Sequence, residues 1–360
     1  MKKSMLLPPG PALSRQVSIG IDLGAEESVA CSLDRAGAVI GRLKFEMTPE
    51  AVTATFGGQP RCTILMETCG FSAWVARLLE QLGHEVLVAD PRKLRQISQS
   101  PKKTDKNDAE KLARCARMAQ FDPKYVPVTV VRSAETQLRR SYLAVRETLV
   151  SSRTKDISLV RSVLRSHAIP RPKAGSDRFH IVVERLQINE ELRELITPLI
   201  GRIADATERI SQVDKKIVAM AKEMPFVQKA IAIPGLGILS AFAYVTSIED
   251  PTRFEDKRQS GAFLGLTPWV KQSSTSERRG GISKQGDERV RRLLVQAALC
   301  LLRSKHDTAL RQWGLAVAER RGRKRAAIAV ARKLSVVLLA IWLSGESYVP
   351  FPESKASHAA

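Results

Sequence analysis

The chain is poor in several features that common functional classes depend on. Its five cysteines, Cys31, Cys62, Cys69, Cys115 and Cys300, are scattered and odd in number, and no two form a C-x-x-C pair. This argues against a disulfide framework and a thiolate zinc site, and for a reducing cytoplasm. Histidine is as scarce, at five residues, so any metal chemistry must rest on carboxylates. Acids are also in short supply, with 37 Asp and Glu against 58 Lys and Arg. No apolar run approaches the roughly 18 residues needed to span a bilayer, so no membrane partner is expected. The opening "MKKSMLLPPGPALSRQ" has two lysines but no sustained apolar core. Residues 1–15 therefore read as a disordered lead-in, not a signal peptide.

What the chain does have is positive charge. The net charge is +21, which says little about fold but calls for a polyanionic partner, most simply nucleic acid. The length of 360 residues suggests two domains and a connector, at roughly 150 residues per domain.

The first third alternates strands and helices. "QVSIGIDLG" (16–24) reads as a central strand ending near Asp22, and "ESVACSLD" and "AVIGRLKFEM" complete a three-stranded antiparallel meander. "TPEAVTATF" is a helix, "RCTILMETCG" a buried strand ending at Glu67, "FSAWVARLLEQLG" a helix and "HEVLVAD" a further strand. The order β-β-β-α-β-α-β-α predicts an α/β domain with a mixed sheet.

"KKTDKNDAEKLARCARM" (102–118) then opens a helix with Asp105 and Asp108 among Lys102, Lys103 and Lys106. The spacing has two readings. Acids three residues apart at a helix start resemble a capping box and suit the helix dipole. They also lie on one helical face, where both can reach one hard cation such as Mg²⁺, with the lysines meeting phosphate. Asp22 and Glu67 end strands, where sites of open α/β sheets gather. Taken together, the four carboxylates favour a metal site.

From Arg132 to about His167, and again from about Glu190 to Met224, long amphipathic patterns suggest a coiled-coil arm or two helices of a bundle. "IAIPGLGILSAFAY" (231–244) resembles a helix-hairpin-helix, in which Gly235 and Gly237 let backbone N–H groups approach a phosphate. "GLTPWVKQSSTSERRGGISKQGDERVRRLLVQAAL" (265–299) is a Gly/Ser/basic loop followed by a helix capped by Asp287 and carrying Arg289, Arg291 and Arg292. It reads as a phosphate-gripping loop or as the seat of a serine nucleophile. No G-x-S-x-G elbow and no nearby histidine are present, so such a serine would need a metal. "ERRGRKRAAIAVARK" (319–333), with Arg323, Lys324 and Arg325, fits contact with a phosphate backbone.

These motifs, in this order, resemble the bridge-RNA-guided insertion-sequence transposases that have an N-terminal RuvC-like DEDD domain and a C-terminal serine domain, related to the Piv-type DNA invertases. The resemblance spans nearly the whole chain. It rests on Gly20-Ile21-Asp22, Glu67-Thr68-Cys69-Gly70, Lys103-Thr104-Asp105 with Asp108-Ala109, Ile233-Pro234-Gly235-Leu236-Gly237, Gly265 to Pro268, and Arg279 to Gly286. It implies an RNase H-like catalytic domain over 16–130, a coiled-coil arm over 131–225, a mainly helical serine domain over 226–346 and a tail over 347–360. It implies that Asp22, Glu67, Asp105 and Asp108 bind one or two Mg²⁺, and that Ser273 attacks DNA while Arg279, Lys284 and Arg291 steady phosphates. It also implies a structured guide RNA, donor and target DNA, and a homo-oligomer, a dimer or tetramer, with active sites shared between protomers in a bacterial, nucleoid-associated setting. One departure stands out: the family's Ser-Gly is Ser273-Ser274 here.

Three rival readings remain. A Holliday-junction or other structure-specific nuclease would share the acids and use water. An ATPase of the actin and sugar-kinase class fits "IGIDLG", but a second phosphate loop is lacking. A non-catalytic nucleic-acid scaffold would need only the charge.

Overall fold

Ile19 and Ile21 are wholly buried and alternate with Gly20 and Asp22, which makes Ser18–Asp22 the central strand, β1. In the computed structural model, residues 17–94, 105–273 and 276–351 are described. The expected lead-in at 1–15, Lys102, Lys103, Ser274 and most of the tail lie outside the described residues, as do the side chains of Asp105, Ser273 and Arg279. The chain divides into two compact units, Met1–Ala134 and Glu135–Ala360.

In the first unit, β2 (Glu27–Leu33) and β3 (Val39–Glu46) follow β1 as an antiparallel meander. Helix α1 (Pro49–Phe56) starts at Thr48, whose hydroxyl accepts from Ala51 N at 3.2 Å, with Pro49 pre-set for the first turn. Then β4 (Thr63–Glu67), α2 (Ser72–Gln81) and β5 (Glu85–Ala89) add two parallel strands, and α3 (Pro91–Leu94) and α4 (Asp105–Phe121) close the unit. The sheet order is β3-β2-β1-β4-β5, a mixed sheet consistent with an RNase H-like domain. One face packs Ile19, Ile21, Ile64 and Met66 under α1 and α2, with Phe56 and Leu79. The other packs Leu65, Val29 and Cys31 under α4. Each fully buried large apolar side chain contributes about 1.5–3 kcal/mol.

The second unit begins with two helices of equal length, α5 (Ala134–Ser166) and α7 (Glu190–Lys222), with the short α6 (Phe179–Glu184) between them. Arg146 pairs with Asp214, Arg153 donates to Thr207 and Arg202 pairs with Asp156, so α5 and α7 run antiparallel. Their far ends share a core with α6 through Val160, Leu164, Phe179 and Ile200. Their near ends, at Leu143, Ile217 and Ala221, join the core of the mainly helical remainder. That remainder comprises α8 (Pro225–Ala230), α9 (Ile238–Ile248), α10 (Gln259–Phe263), a hairpin of β6 (Pro268–Ser273) and β7 (Ser276–Ile282), α11 (Glu288–Arg303), α12 (Ala309–Arg321) and α13 (Arg323–Ser344).

Helix α13 corrects one expectation. It is long and apolar enough to cross a bilayer by length and composition, although no run of that kind was expected. Half of its apolar window is buried in the protein, and Ala327, Val330, Leu334 and Leu338 are core residues. The basic start of this helix hid its apolar body in the sequence.

Candidate active site

Helix α4 lies directly on β1, and glycine makes this possible. A Cβ on Gly20 would fall 2.7 Å from Leu112 C and nearer still to Ala109 O and Ala113 N. No side chain fits there. At the other end of the contact, Gln120 Nε2 donates to Ser18 Oγ at 3.1 Å. The helix therefore runs antiparallel to β1, and its N-terminus comes toward the Asp22 end of the strand.

Three of the expected acids follow from this register. Asp22 shares a face of β1 with Gly20, the face that α4 covers, because strand side chains alternate. Glu67 is one residue beyond the Ile21–Met66 pair of the parallel ladder, as Asp22 is. It shares the α4 face with Leu65, which packs against Leu112 and Cys115. Asp108 continues the buried stripe of Leu112, Cys115 and Ala119 on α4. Asp22, Glu67 and Asp108 are all half-buried. Asp105 starts the helix three residues earlier, one turn along the same face.

Lys111 Nζ donates to Asp108 Oδ1 at 2.8 Å. The Cys115 thiol is pushed above its ordinary range, first by burial and then by the negative charge of Glu67. The four acids offer oxygen donors, which suit a hard cation such as Mg²⁺. Among the described residues no three such side chains are already closed into a cluster, and the Asp105 carboxylate lies outside them. The buried His84 is spoken for elsewhere: its ring contacts Cys62 Sγ at 3.3 Å and Phe56 O at 3.1 Å, and burial lowers its pKa.

The serine segment belongs to the second unit. Ser273 ends β6, opposite Ser276. The base of this hairpin is braced: Ser283 N donates to Thr267 O at 2.8 Å and Lys284 N to Gly265 O at 3.2 Å. Lys284 takes a left-handed φ of 55°, uncommon for a side-chain-bearing residue. Arg291 was expected to face phosphate, but it is buried and gives Nη1 to Leu264 O at 3.0 Å. It anchors the loop from within. Arg292 and Arg289 share Glu147 of α5, and Arg140 holds Asp287 at 2.8 Å. Burial opposes ionisation of Asp287, but Arg140 and the Val290 N–H outweigh it and hold the carboxyl below its ordinary value.

Gly235, with φ 86°, lies against α11, where a Cβ would sit 2.7 Å from Leu301 N, while Gly237 caps α9 in open space. Arg323, Lys324 and Arg325 are exposed in the first turn of α13, which holds no acid. Cations at a helix N-terminus oppose its dipole, at about 0.3–1 kcal/mol each, and a bound polyanion would relieve them. Lys111, Glu147 and the Gly20 contact do not stand out in the sequence, and Arg140 reads there only as one charge of a long helix. Only Lys111, three residues after Asp108 on a helix, carried a signal there.

Two family profiles match the chain. One, described as "Transposase" and specific to the DEDD domain of the IS110 type, covers residues 19–169 and so includes the acid set. The other, "Transposase IS116/IS110/IS902 family", covers residues 228–313 and includes the serine hairpin. The two matched segments are similar to the transposase domains of the IS110/IS116 family. Over 338 residues the chain is 28% identical to the transposase for insertion sequence element IS1111A of Coxiella burnetii, covering 92% of this chain and 90% of that one. It is 29% identical to a probable family 20 transposase of Pseudomonas aeruginosa, covering 92% and 98% of the two chains. It is 28% identical to the transposase for insertion sequence element IS1328 of Yersinia enterocolitica, over 91% and 97%. A DEDD transposase domain implies a divalent metal, typically Mg²⁺, and an enzyme that binds, cleaves and recombines DNA.

Proposed function

We propose that the protein is an RNA-guided DNA recombinase of an insertion sequence, acting through Asp22, Glu67, Asp105 and Asp108 with Ser273 as nucleophile. The observation that carries this reading is the approach of α4 to β1 over Gly20, which aligns the start of α4 with the ends of β1 and β4. Three half-buried carboxylates and the first residue of α4 then belong to one end of one sheet face.

Those four residues would hold one or two Mg²⁺, which, when bound, supplies charge neutralisation at the scissile phosphate and a lowered pKa for the attacking or leaving hydroxyl. Ser273 attacks phosphorus, forms a serine–phosphodiester and releases a strand-end hydroxyl that takes up a proton. The hydroxyl needs activation beside it, and no histidine lies close in sequence to provide it. Arg279 and Lys284 steady phosphates near the hairpin, and Arg291 keeps the base of the hairpin in place. Arg292, Arg323, Lys324 and Arg325 contact the nucleic-acid backbone, and Gly235 and Gly237 lie at a helix-hairpin-helix-like junction. Lys102 and Lys103 would meet phosphate beside the acids. The α5–α7 pair forms a coiled-coil arm that serves assembly of a dimer or tetramer. The guide RNA, the shared active sites and the cytoplasmic, nucleoid-associated setting come from the resemblance of the motifs.

The test is to trap covalent protein–DNA adducts on nicked DNA and resolve them under denaturing conditions. Ser273→Ala is expected to keep nucleic-acid binding and lose every adduct, while Ser274→Ala stays active. Adducts that persist in Ser273→Ala and vanish in Ser274→Ala would move the nucleophile by one residue. Recombination by both variants would remove the serine mechanism and favour the nuclease.

A further inference from the structure

Tryptophan 269 stands apart from the other tryptophans. Trp74 packs on the core beneath α1 and α2, and Trp313 and Trp342 pack on the core of the second unit. Trp269 belongs to no core cluster and is 47% exposed. A side chain of this size normally contributes by burial, so an exposed indole next to the candidate nucleophile needs a reason.

The hairpin is built around it. The register of β6 and β7 shifts between Pro268 and Val270, which leaves the extra residue on β7 near Gly280. Such bulges re-aim side chains, often beside active sites. A Cβ on Gly280 would fall against Cε2, Nε1 and Cζ2 of Trp269, so the indole rests on bare backbone that only glycine provides. One side of the ring is thereby supported while much of it stays open to solvent.

The same hairpin carries further residues suited to nucleic acid, two and four positions along β6 from Trp269. Lys271 stands opposite Arg278, and Ser273 opposite Ser276. From Trp269 to Ser273 the strand covers about 13 Å. The hairpin thus holds an aromatic platform, a pair of cationic residues at opposed backbone positions and the candidate nucleophile within one strand pair.

We propose that Trp269 stacks an unpaired nucleobase of the DNA strand that Ser273 attacks, with Lys271 and Arg278 on the adjoining phosphate. The inference rests on the reading of Ser273 above for the identity of that strand. An aromatic face stacks any base without regard to sequence, which suits an enzyme whose targets are chosen elsewhere. A paired base is already stacked, so the platform discriminates single-stranded or frayed DNA from intact duplex.

The experiment uses the full-length protein and three variants: Trp269→Leu, which keeps apolar cover but no aromatic face, Trp269→Phe, and Gly280→Ala, which dislodges the indole. Affinities are measured for a 2-aminopurine-labelled single-stranded DNA, its intact duplex and an RNA of the same sequence. Trp269→Leu and Gly280→Ala are expected to weaken single-stranded DNA binding by about tenfold or more, the size of one base–aromatic stack. Trp269→Phe should stay within about threefold of wild type, and duplex binding should not change in any variant. Single-stranded DNA should also quench a component of tryptophan fluorescence that Trp269→Phe lacks. Wild-type single-strand affinity in Trp269→Leu, with no quenching assignable to Trp269, would overturn the proposal. Equal losses on single strand and duplex would also overturn it, and an effect seen only with RNA would overturn the assignment to DNA. None of these readouts requires strand cleavage. If Ser273→Ala still forms adducts while the stacking signal persists, the serine reading fails and the platform stands.

Discussion

Replacing Gly20 by alanine would test the geometry that brings the acids together. The added Cβ would stand 2.7 Å from Leu112 C, and closer to Ala109 O and Ala113 N. Ordinary carbon contact is about 3.5–4.0 Å, so α4 must retreat from β1 by about 1 Å or more. These neighbours are backbone atoms of a helix and cannot rotate away. Overpacking of this kind costs about 1–3 kcal/mol. At about 4 °C per kcal/mol for a unit of this size, the melting temperature of the first unit should fall by about 4–12 °C. The functional loss should be larger than that fall accounts for. Asp108 precedes Ala109, so it moves with the displaced backbone, away from Asp22 and Glu67. A misplacement of about 1 Å in a catalytic constellation can cost about 100-fold in rate. The control is Ile19→Val, whose side chain lies in the core on the opposite face. It should cost about 0.5–1.5 kcal/mol and leave α4 where it is. The assay is metal-dependent recombination at a temperature where circular dichroism shows both variants folded. Recombination by Gly20→Ala at the Ile19→Val level would refute the argument that α4 sets the carboxylate geometry.

Asp108→Asn should retain the helix, because position 108 lies inside α4 and Asn has the same shape as Asp, yet abolish recombination at every Mg²⁺ concentration; a near-wild-type rate in a recombination assay would leave Asp108 with only its ion pair to Lys111. Changing Arg323, Lys324 and Arg325 together to Gln should reduce the slope of log affinity against log salt by about 3, at roughly 0.9 per lost phosphate contact on duplex DNA; a titration with an unchanged slope would mean that this turn faces solvent in the complex. Asp287 titrates below its ordinary value in the folded protein, so its pairing with Arg140 stabilises the fold above the unfolded carboxylate range and is lost as pH falls through the folded pKa. Asp287→Asn should therefore cost about 1.5–3 kcal/mol at pH 7, and its melting temperature should converge with that of wild type below about pH 4; a pH-independent difference would contradict the charge argument.

Much of the first unit was legible in the residues themselves. Apolar alternation in "SIGID", "TILME" and "EVLVA" specified strands because a half-covered sheet buries every second side chain, and turn residues divided them. The two long helical patterns were equally plain, since apolar spacing over some thirty residues is hard to mistake. The four acids, the serine segment and the basic turn stood out by type and order. What the linear pattern could not carry was proximity. That Gly20 is a seat for α4, rather than one more strand glycine, depends on backbone some ninety residues away. Arg291 reads as a phosphate ligand in a basic run, yet it turns inward because Leu264 and Gln285 present carbonyls that only a buried donor can satisfy. The apolar body of α13 follows a basic start that masks it in the linear pattern, and only packing shows it to be a core helix. Gly280 and Trp269 are unremarkable eleven residues apart in sequence, and the hairpin register alone sets one upon the other. Local pattern encodes which face of an element is apolar; which residues meet across elements depends on register and packing, and those belong to the folded chain.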